Sequence, residues 1–175
     1  LLAASQVFSA KTQLFGFEIN KSYIATLNDR LGGVANRTHT EQADFFATDW
    51  QARLKKIPGD VLVLGNFPWV TNATQGAIGG ENLPEKTNFL GFNGFDAISG
   101  KANFDISEWM LIEVIRWFSS RNGALAMLVK TATARKVLAH AERQQSPVCE
   151  ASIFNIDAKK HFQAAVDACL LVMKF

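Results

Sequence analysis

Four consecutive residues near the middle of the chain, Asn66 to Trp69, carry groups suited to binding a planar amine. The amide oxygen of Asn66 is a hydrogen-bond acceptor. Pro68 stiffens the turn and restricts Phe67 to an extended backbone, which can hold the Phe67 carbonyl at a fixed angle. Trp69 offers a flat face on which a planar ring can stack. Two acceptors and a stacking face indicate a receptor for a planar amine, although a loop whose aromatic residues fold back on the core fits the same tetrapeptide.

The residues before this loop predict where it lies in the fold. The run VLVL, residues 61–64, is bounded by Asp60 and Gly65. Such a run is typical of a strand buried on both faces, as in the middle of a parallel sheet. In open α/β sheets, ligands bind beyond the carboxyl ends of the strands. We therefore expect a ligand at Asn66 to Trp69.

Strand and helix patterns alternate along the rest of the chain, which predicts an α/β doubly wound sheet. Strands are predicted at residues 14–19, 40–46, 61–64, 124–129, 151–156 and 164–175. Helices are predicted at residues 1–12, 21–31, 104–118 and 131–144, with a turn or short helix at 49–56 and His140 at an exposed position. The last two strands are expected to form a hairpin that closes the sheet. The segment at about 70–103 has no clear periodicity and predicts a lid or an insert.

Composition limits the classes of protein that fit. A length of 175 residues predicts one domain, and a hydrophobic content of 48% is enough for a core. A formal net charge of +2 does not by itself indicate a nucleic-acid binder. Cys149 and Cys169 lack the spacing of a metal site, and we expect buried or inert thiols of a reduced, cytoplasmic protein. With no run of about 18 apolar residues, the sequence predicts no membrane partner.

Six stretches resemble, in type and in order, motifs of S-adenosylmethionine-dependent DNA adenine-N6 methyltransferases, particularly those of restriction–modification systems. They are FGFEIN at 15–20, ADFF at 43–46, GNFPWVTN at 65–72, FDISEWMLIE at 104–113, GALAMLVK at 123–130 and KKHFQAAVDACLLV at 159–172. The resemblance covers essentially the whole chain, so that residues 1–175 are expected to be a partial catalytic domain. It implies a Rossmann-like methyltransferase sheet that is mostly parallel with an antiparallel last strand.

The resemblance implies a binding site for the cofactor S-adenosylmethionine. Glu18 would accept hydrogen bonds from the ribose hydroxyls, with Ile19 beside it. Asp44 would receive the amine of the cofactor's adenine, with Phe45 next to the ring. Asp49 is a rival for the role of Asp44, because ADFFATDW contains two acids.

The resemblance also implies the substrate, an adenine flipped out of double-stranded DNA. Asn66 and the Phe67 carbonyl would bind its exocyclic amine, Asn66 would also border the cofactor, and Pro68 and Trp69 would complete the catalytic loop. Trp69 would stack on the base, with Phe162 as a second aromatic contact, unless Phe162 only covers the core at a hairpin tip. Two acceptors on the amine hydrogens favour a nitrogen whose lone pair can attack a methyl group. No catalytic His, Cys or metal is predicted, and His39, His140 and His161 are assigned surface or structural roles.

Two departures from the family pattern leave alternatives open. Phe67 stands where the family usually has proline, and the glycine-rich cofactor loop with its strand is not found within these residues. Whether that loop lies before Leu1 is left open. The target sequence and the oligomeric state are left open. A protein-glutamine or RNA-adenine methyltransferase, or a non-catalytic DNA-binding or assembly fragment, also fits the sequence.

Overall fold

The computed structural model describes residues 1–69 and 105–175, which form two compact units, Leu1–Asp49 and Trp50–Phe175. The predicted lid at about 70–103 lies outside the described residues. Among the residues described, no helix is long and apolar enough to cross a membrane. The assignment of residues 1–175 to one catalytic domain stays a prediction.

The first unit contains a pair of parallel strands with two helices. Its elements are α1 (Leu2–Val7), β1 (Leu14–Glu18), α2 (Lys21–Leu31), a 3₁₀ segment (Gly32–Arg37) and β2 (Thr38–Gln42). The Asn20 side chain caps α2 by accepting from the Ser22 amide at 2.9 Å. In the β1–β2 ladder, Glu18 lies opposite Gln42. Both strands therefore end at the same edge.

A buried arginine ties the start of this unit together. The guanidinium of Arg37 donates to the carbonyls of Ser5, Ser9 and Thr12 at 2.6, 3.0 and 3.1 Å. Arg37 is 9% exposed. A buried cation needs such acceptors, because an unsatisfied charge away from water is costly. The three bonds hold α1 and the following loop against the start of β2.

The second unit is a four-stranded mixed sheet with helices. Its elements are α3 (Trp50–Leu54), β3 (Val61–Asn66), α4 (Ile106–Trp117), β4 (Gly123–Lys130), α5 (Thr131–Arg143), β5 (Glu150–Ile156), α6 (Ala158–Phe162) and β6 (Ala168–Lys174). The strand order is β3-β4-β6-β5. β3 and β4 are parallel, and β6 is antiparallel to both β4 and β5. The predicted α/β fold class, with its antiparallel last strand, is confirmed.

The core of the second unit lies where α5 packs against α4 and against the central strands β4 and β6. Every second residue of β4 is buried, which is the period of a strand with one covered face. Leu125 and Val129 of β4, Leu111 and Val114 of α4, and Leu171 of β6 are 0% exposed. Because β4 is fixed on this core, it provides the support on which β3 is aligned.

Two predicted strand boundaries are wrong. The second strand is predicted at residues 40–46 but runs from Thr38 to Gln42, because the Asp44 side chain accepts from the Phe46 amide at 2.8 Å and starts a turn. The last strand is predicted at 164–175 but begins at Ala168. Residues 158–162 form α6, capped by Asp157, so the connection before the last strand is longer than a hairpin turn.

Two expectations about burial are also wrong. β3 is not buried on both faces, since Leu62 is 45% and Leu64 50% exposed. These two share a face with Ala124 and Ala126 of β4, while the buried residues of β4, Leu125, Met127 and Val129, lie on the other face. His140 is 9% exposed rather than solvated, because its face of α5 packs inward. Of the two cysteines expected to be buried or inert, Cys169 is buried and Cys149 is exposed.

Candidate active site

The residues predicted to bind a planar amine, Asn66 to Trp69, lie at the carboxyl end of β3 and directly after it. Asn66 is the last residue of that strand and lies opposite Leu128 of β4. Asn66 and Pro68 are exposed, while Phe67 and Trp69 are half-buried. Within residues 1–69 and 105–175, no partner is seen for the Asn66 side-chain amide. The carboxyl end of a parallel strand thus presents an accessible acceptor where the sequence predicts one.

Trp69 is attached to the neighbouring strand at two points. Its indole Nε1 donates to the Leu128 carbonyl at 3.4 Å. Its own carbonyl accepts from the ammonium group of Lys130 at 2.9 Å. The loop is therefore held by the carboxyl end of β4 at Trp69, three residues after Asn66. Trp69 as a residue is half-buried, so part of it remains accessible to solvent.

Lys130 and Asp105 belong to this arrangement, although neither is predicted from the sequence to have a role in the site. The Lys130 ammonium also donates to Asp105 Oδ2 at 2.8 Å. The other carboxylate oxygen of Asp105 accepts from the Ser107 amide at 3.0 Å and caps α4. The signal in the sequence is a lysine at the end of an otherwise apolar strand, GALAMLVK. Such a charge needs a partner, but its partners lie 25 and 61 residues away along the chain.

The predicted cofactor acids Glu18 and Asp44 lie at one edge of the first unit. Glu18 is the last residue of β1, and its carbonyl accepts from the Ala43 amide at 3.0 Å. Its carboxylate accepts from the Asn20 amide at 2.8 Å, and the residue is half-buried. Ile19, next to it, is 49% exposed and offers an apolar surface. Asp44, which follows β2, is half-buried.

The choice between Asp44 and Asp49 is narrowed by position. Asp44 follows β2 by two residues, at the edge where β1 ends with Glu18, and its carboxylate is oriented by the Phe46 amide. Asp49 is exposed and is the last residue of the first unit. The half-buried Phe45 ring meets Phe46 edge-on, with 5.8 Å between the ring centroids. Asp44 is therefore the better candidate for a ligand that also contacts Glu18.

Phe162, the predicted second aromatic contact, is the last residue of α6 and is 51% exposed. Its ring centroid is 6.2 Å from that of His161. A half-exposed ring at a helix end is available for stacking, and it does not serve as a core residue. The structure places Phe162 in the same unit as Asn66 and Trp69.

Three described titratable groups outside the predicted site residues have shifted pKa values, namely Glu108, His140 and Cys169, whose thiol pKa burial raises. Burial raises the pKa of Glu108 on α4, and nearby Lys136 partly offsets this shift. Burial lowers the pKa of His140 on α5, with Arg143 and Arg116 acting in the same direction. Over the described ranges, no three His, Cys, Asp or Glu side chains group so as to hold a metal ion.

Comparison with known proteins relates the chain to methyltransferases. No family profile matches the sequence. The type II methyltransferase M.NspV of a Nostoc species is 42% identical over 174 residues, which is 99% of this chain and 36% of that protein. The chain thus spans about a third of the length of this relative.

Solved structures with a similar arrangement include two candidate methyltransferases. One is a candidate rRNA-methylase from Clostridium thermocellum, with 16% identity and a TM-score of 0.46 over 98% of this chain and 80% of that chain. The other, from Streptococcus mutans, was solved with SAH and has 8% identity and a TM-score of 0.41 over 93% of this chain and 76% of that chain. The sequence comparison shows that nearly the whole chain is similar to one part of a type II methyltransferase. This similarity supports the interpretation of the chain as part of a methyltransferase.

Proposed function

We propose that this chain transfers a methyl group from S-adenosylmethionine to the exocyclic amine of adenine in double-stranded DNA, in a restriction–modification system. One observation carries the proposal. An exposed Asn66 acceptor ends a parallel strand and is followed by a fixed Trp69, in a chain 42% identical to a type II methyltransferase. Such a role places the protein in the cytoplasm with its DNA.

The edge of the first unit at which β1 and β2 end carries groups that can bind an adenosine. Glu18 is half-buried, and its carboxylate can accept hydrogen bonds from both hydroxyls of a ribose. Asp44 supplies an acceptor for an aromatic amine, and Ile19 supplies apolar surface beside them. These residues would hold S-adenosylmethionine, which supplies a methyl group on a sulfonium centre.

The loop after β3 would prepare the accepting nitrogen. Asn66 Oδ1 and the Phe67 carbonyl oxygen would each accept a hydrogen bond from one N–H of the adenine amine. These two bonds would draw the nitrogen lone pair out of conjugation with the ring. Trp69 stacks on the flipped base, worth about 1–3 kcal/mol. The new N–C bond would form as the S–C bond breaks, S-adenosylhomocysteine would leave as a neutral thioether, and the methylated nitrogen would then lose its proton to solvent. Positioning and fixed dipoles account for the rate without a proton-relay residue.

Replacement of Asn66 tests this proposal. Asn66→Ala should lower methyl transfer roughly 100-fold or more, the loss typical when one preorganised hydrogen-bonding group is removed. Transfer of tritiated methyl groups to unmethylated DNA gives the rate, and nucleoside analysis gives the methylated base. Calorimetry should show unchanged affinity for S-adenosylmethionine.

Asn122→Ala is the matched control, because Asn122 is an exposed asparagine in the turn before β4 of the same unit. It should retain full activity. Equal turnover in the Asn66 variant and the control would refute the role of Asn66. Label found on cytosine, on protein or on RNA instead would refute the adenine-DNA assignment.

A further inference from the structure

The side chain of Lys130 joins three elements of the second unit. It extends from the last residue of β4 and is 30% exposed. Its ammonium donates to the Trp69 carbonyl at 2.9 Å and to Asp105 Oδ2 at 2.8 Å. Both distances are those of charge-assisted hydrogen bonds. The Lys130 ammonium thus connects the loop after β3 with Asp105, the residue that caps the start of α4.

Asp105 fixes the direction of that cation. Its side chain is 11% exposed, and its two oxygens have different partners. Oδ1 accepts from the Ser107 amide and hydroxyl, while Oδ2 accepts from Lys130. A carboxylate that is bound to a helix terminus on one side has little freedom on the other. The Lys130 ammonium is therefore held at a defined point beneath the loop.

The loop can transmit this restraint to the predicted acceptors. Trp69 is bonded through its indole to Leu128 and through its carbonyl to Lys130, so two residues of one strand fix it. Pro68 limits rotation between Trp69 and Phe67. The direction of the Phe67 carbonyl and of Asn66 then depends on where Trp69 is held.

We propose that Lys130, oriented by Asp105, is a positioning residue that sets the geometry of the Asn66–Trp69 loop for methyl transfer. The inference rests on the proposed function, because the loop needs a fixed geometry only if it presents two acceptors to one amine. Lys130 acts through Trp69 and contacts neither substrate nor cofactor. A misplaced loop lowers the rate after binding, since near-attack geometry is lost.

Removing the charge of Lys130 tests the proposal. Lys130→Met should lower kcat roughly 10- to 100-fold with little change in KM for S-adenosylmethionine. Lys130→Arg, which keeps the charge and several donors, should recover part of the loss. Lys136→Met is the matched control, because Lys136 also pairs with an acid of α4, Glu108, but does not reach the loop. It should leave kcat unchanged.

A double variant separates positioning from stability. Lys130→Met leaves the Asp105 carboxylate unpaired, which lowers stability. Adding Asp105→Asn removes that charge and keeps a good helix cap, so the free energy of unfolding should recover. Under the proposal, kcat stays low in the double variant, because the Trp69 carbonyl still lacks its donor. Recovery of kcat together with stability would overturn the proposal.

A spectroscopic readout does not depend on activity. The fluorescence of Trp69 is obtained by subtracting the spectrum of the Trp69→Phe variant in the same background. In the Lys130→Met background, this signal should become at least twofold more sensitive to acrylamide quenching, and an unchanged sensitivity would overturn the inference. If the wild-type protein transfers no methyl group but the Lys130→Met substitution still raises the quenching of Trp69, the proposed function is refuted. The restraint of Trp69 by Lys130 is then retained.

Discussion

Among the described glycines of the second unit, Gly123, the first residue of β4, is predicted to tolerate a side chain least. A Cβ atom added there would lie 2.4 Å from the Val61 carbonyl oxygen of β3 and 2.5 Å from Phe118 Cε1. Neither neighbour can retreat easily. Val61 is held by the strand ladder, and the Phe118 ring stacks on Phe175 with 4.3 Å between centroids.

The size of the effect follows from these contacts. Overpacking in a well-packed region typically costs about 1–3 kcal/mol, and a clash with backbone belongs at the upper end. Gly123→Ala should therefore lower the free energy of unfolding by about 3 kcal/mol. The β3–β4 alignment that sets Asn66 opposite Leu128 begins at this position.

Urea unfolding monitored by circular dichroism measures the change, and hydrogen exchange of the β3 and β4 amides locates it. Gly33→Ala is the control, because a Cβ there meets nothing within 4 Å. It should change stability by less than about 0.5 kcal/mol. Equal stability of the two variants, with unchanged exchange in β3 and β4, would show that the strands do not approach as closely as described.

Two further predictions concern the cofactor edge and pH. Glu18→Ala should weaken binding of S-adenosylmethionine roughly 10- to 100-fold, which corresponds to the loss of a hydrogen bond to a charged group. Glu41→Ala, the control, should leave this affinity unchanged. Equal dissociation constants for the two variants would refute the role of Glu18 in binding the ribose. Because burial lowers the pKa of His140 below its ordinary 6.5, its stabilising contribution is present above that pH and is lost as the pH falls through the folded-state value. His140→Gln should remove this part of the pH dependence in urea unfolding between pH 7 and pH 5, and identical profiles would contradict the assignment.

Short-range patterns in the amino-acid sequence determine several helices and strands of this protein. The helix at Lys21–Leu31 and the strand run that delivers Asn66 are both readable from neighbouring residues. Capping, hydrophobic period and strand character act over a few positions, so one sequence is enough to predict them. The types and order of the six motif-like stretches likewise indicate a methyltransferase from the amino-acid sequence alone.

Tertiary structure decided what depends on residues far apart in the chain. Nothing near Lys130 in sequence indicates that its ammonium bonds to Trp69 and Asp105, because the pairing arises only when β3 and α4 pack beside β4. The exposure of Leu62 and Leu64 depends on which face the helices cover, and a short apolar run does not contain that information. The sequence supplied the acceptors and the aromatic face, whereas the packed sheet determined how the loop that carries them is held.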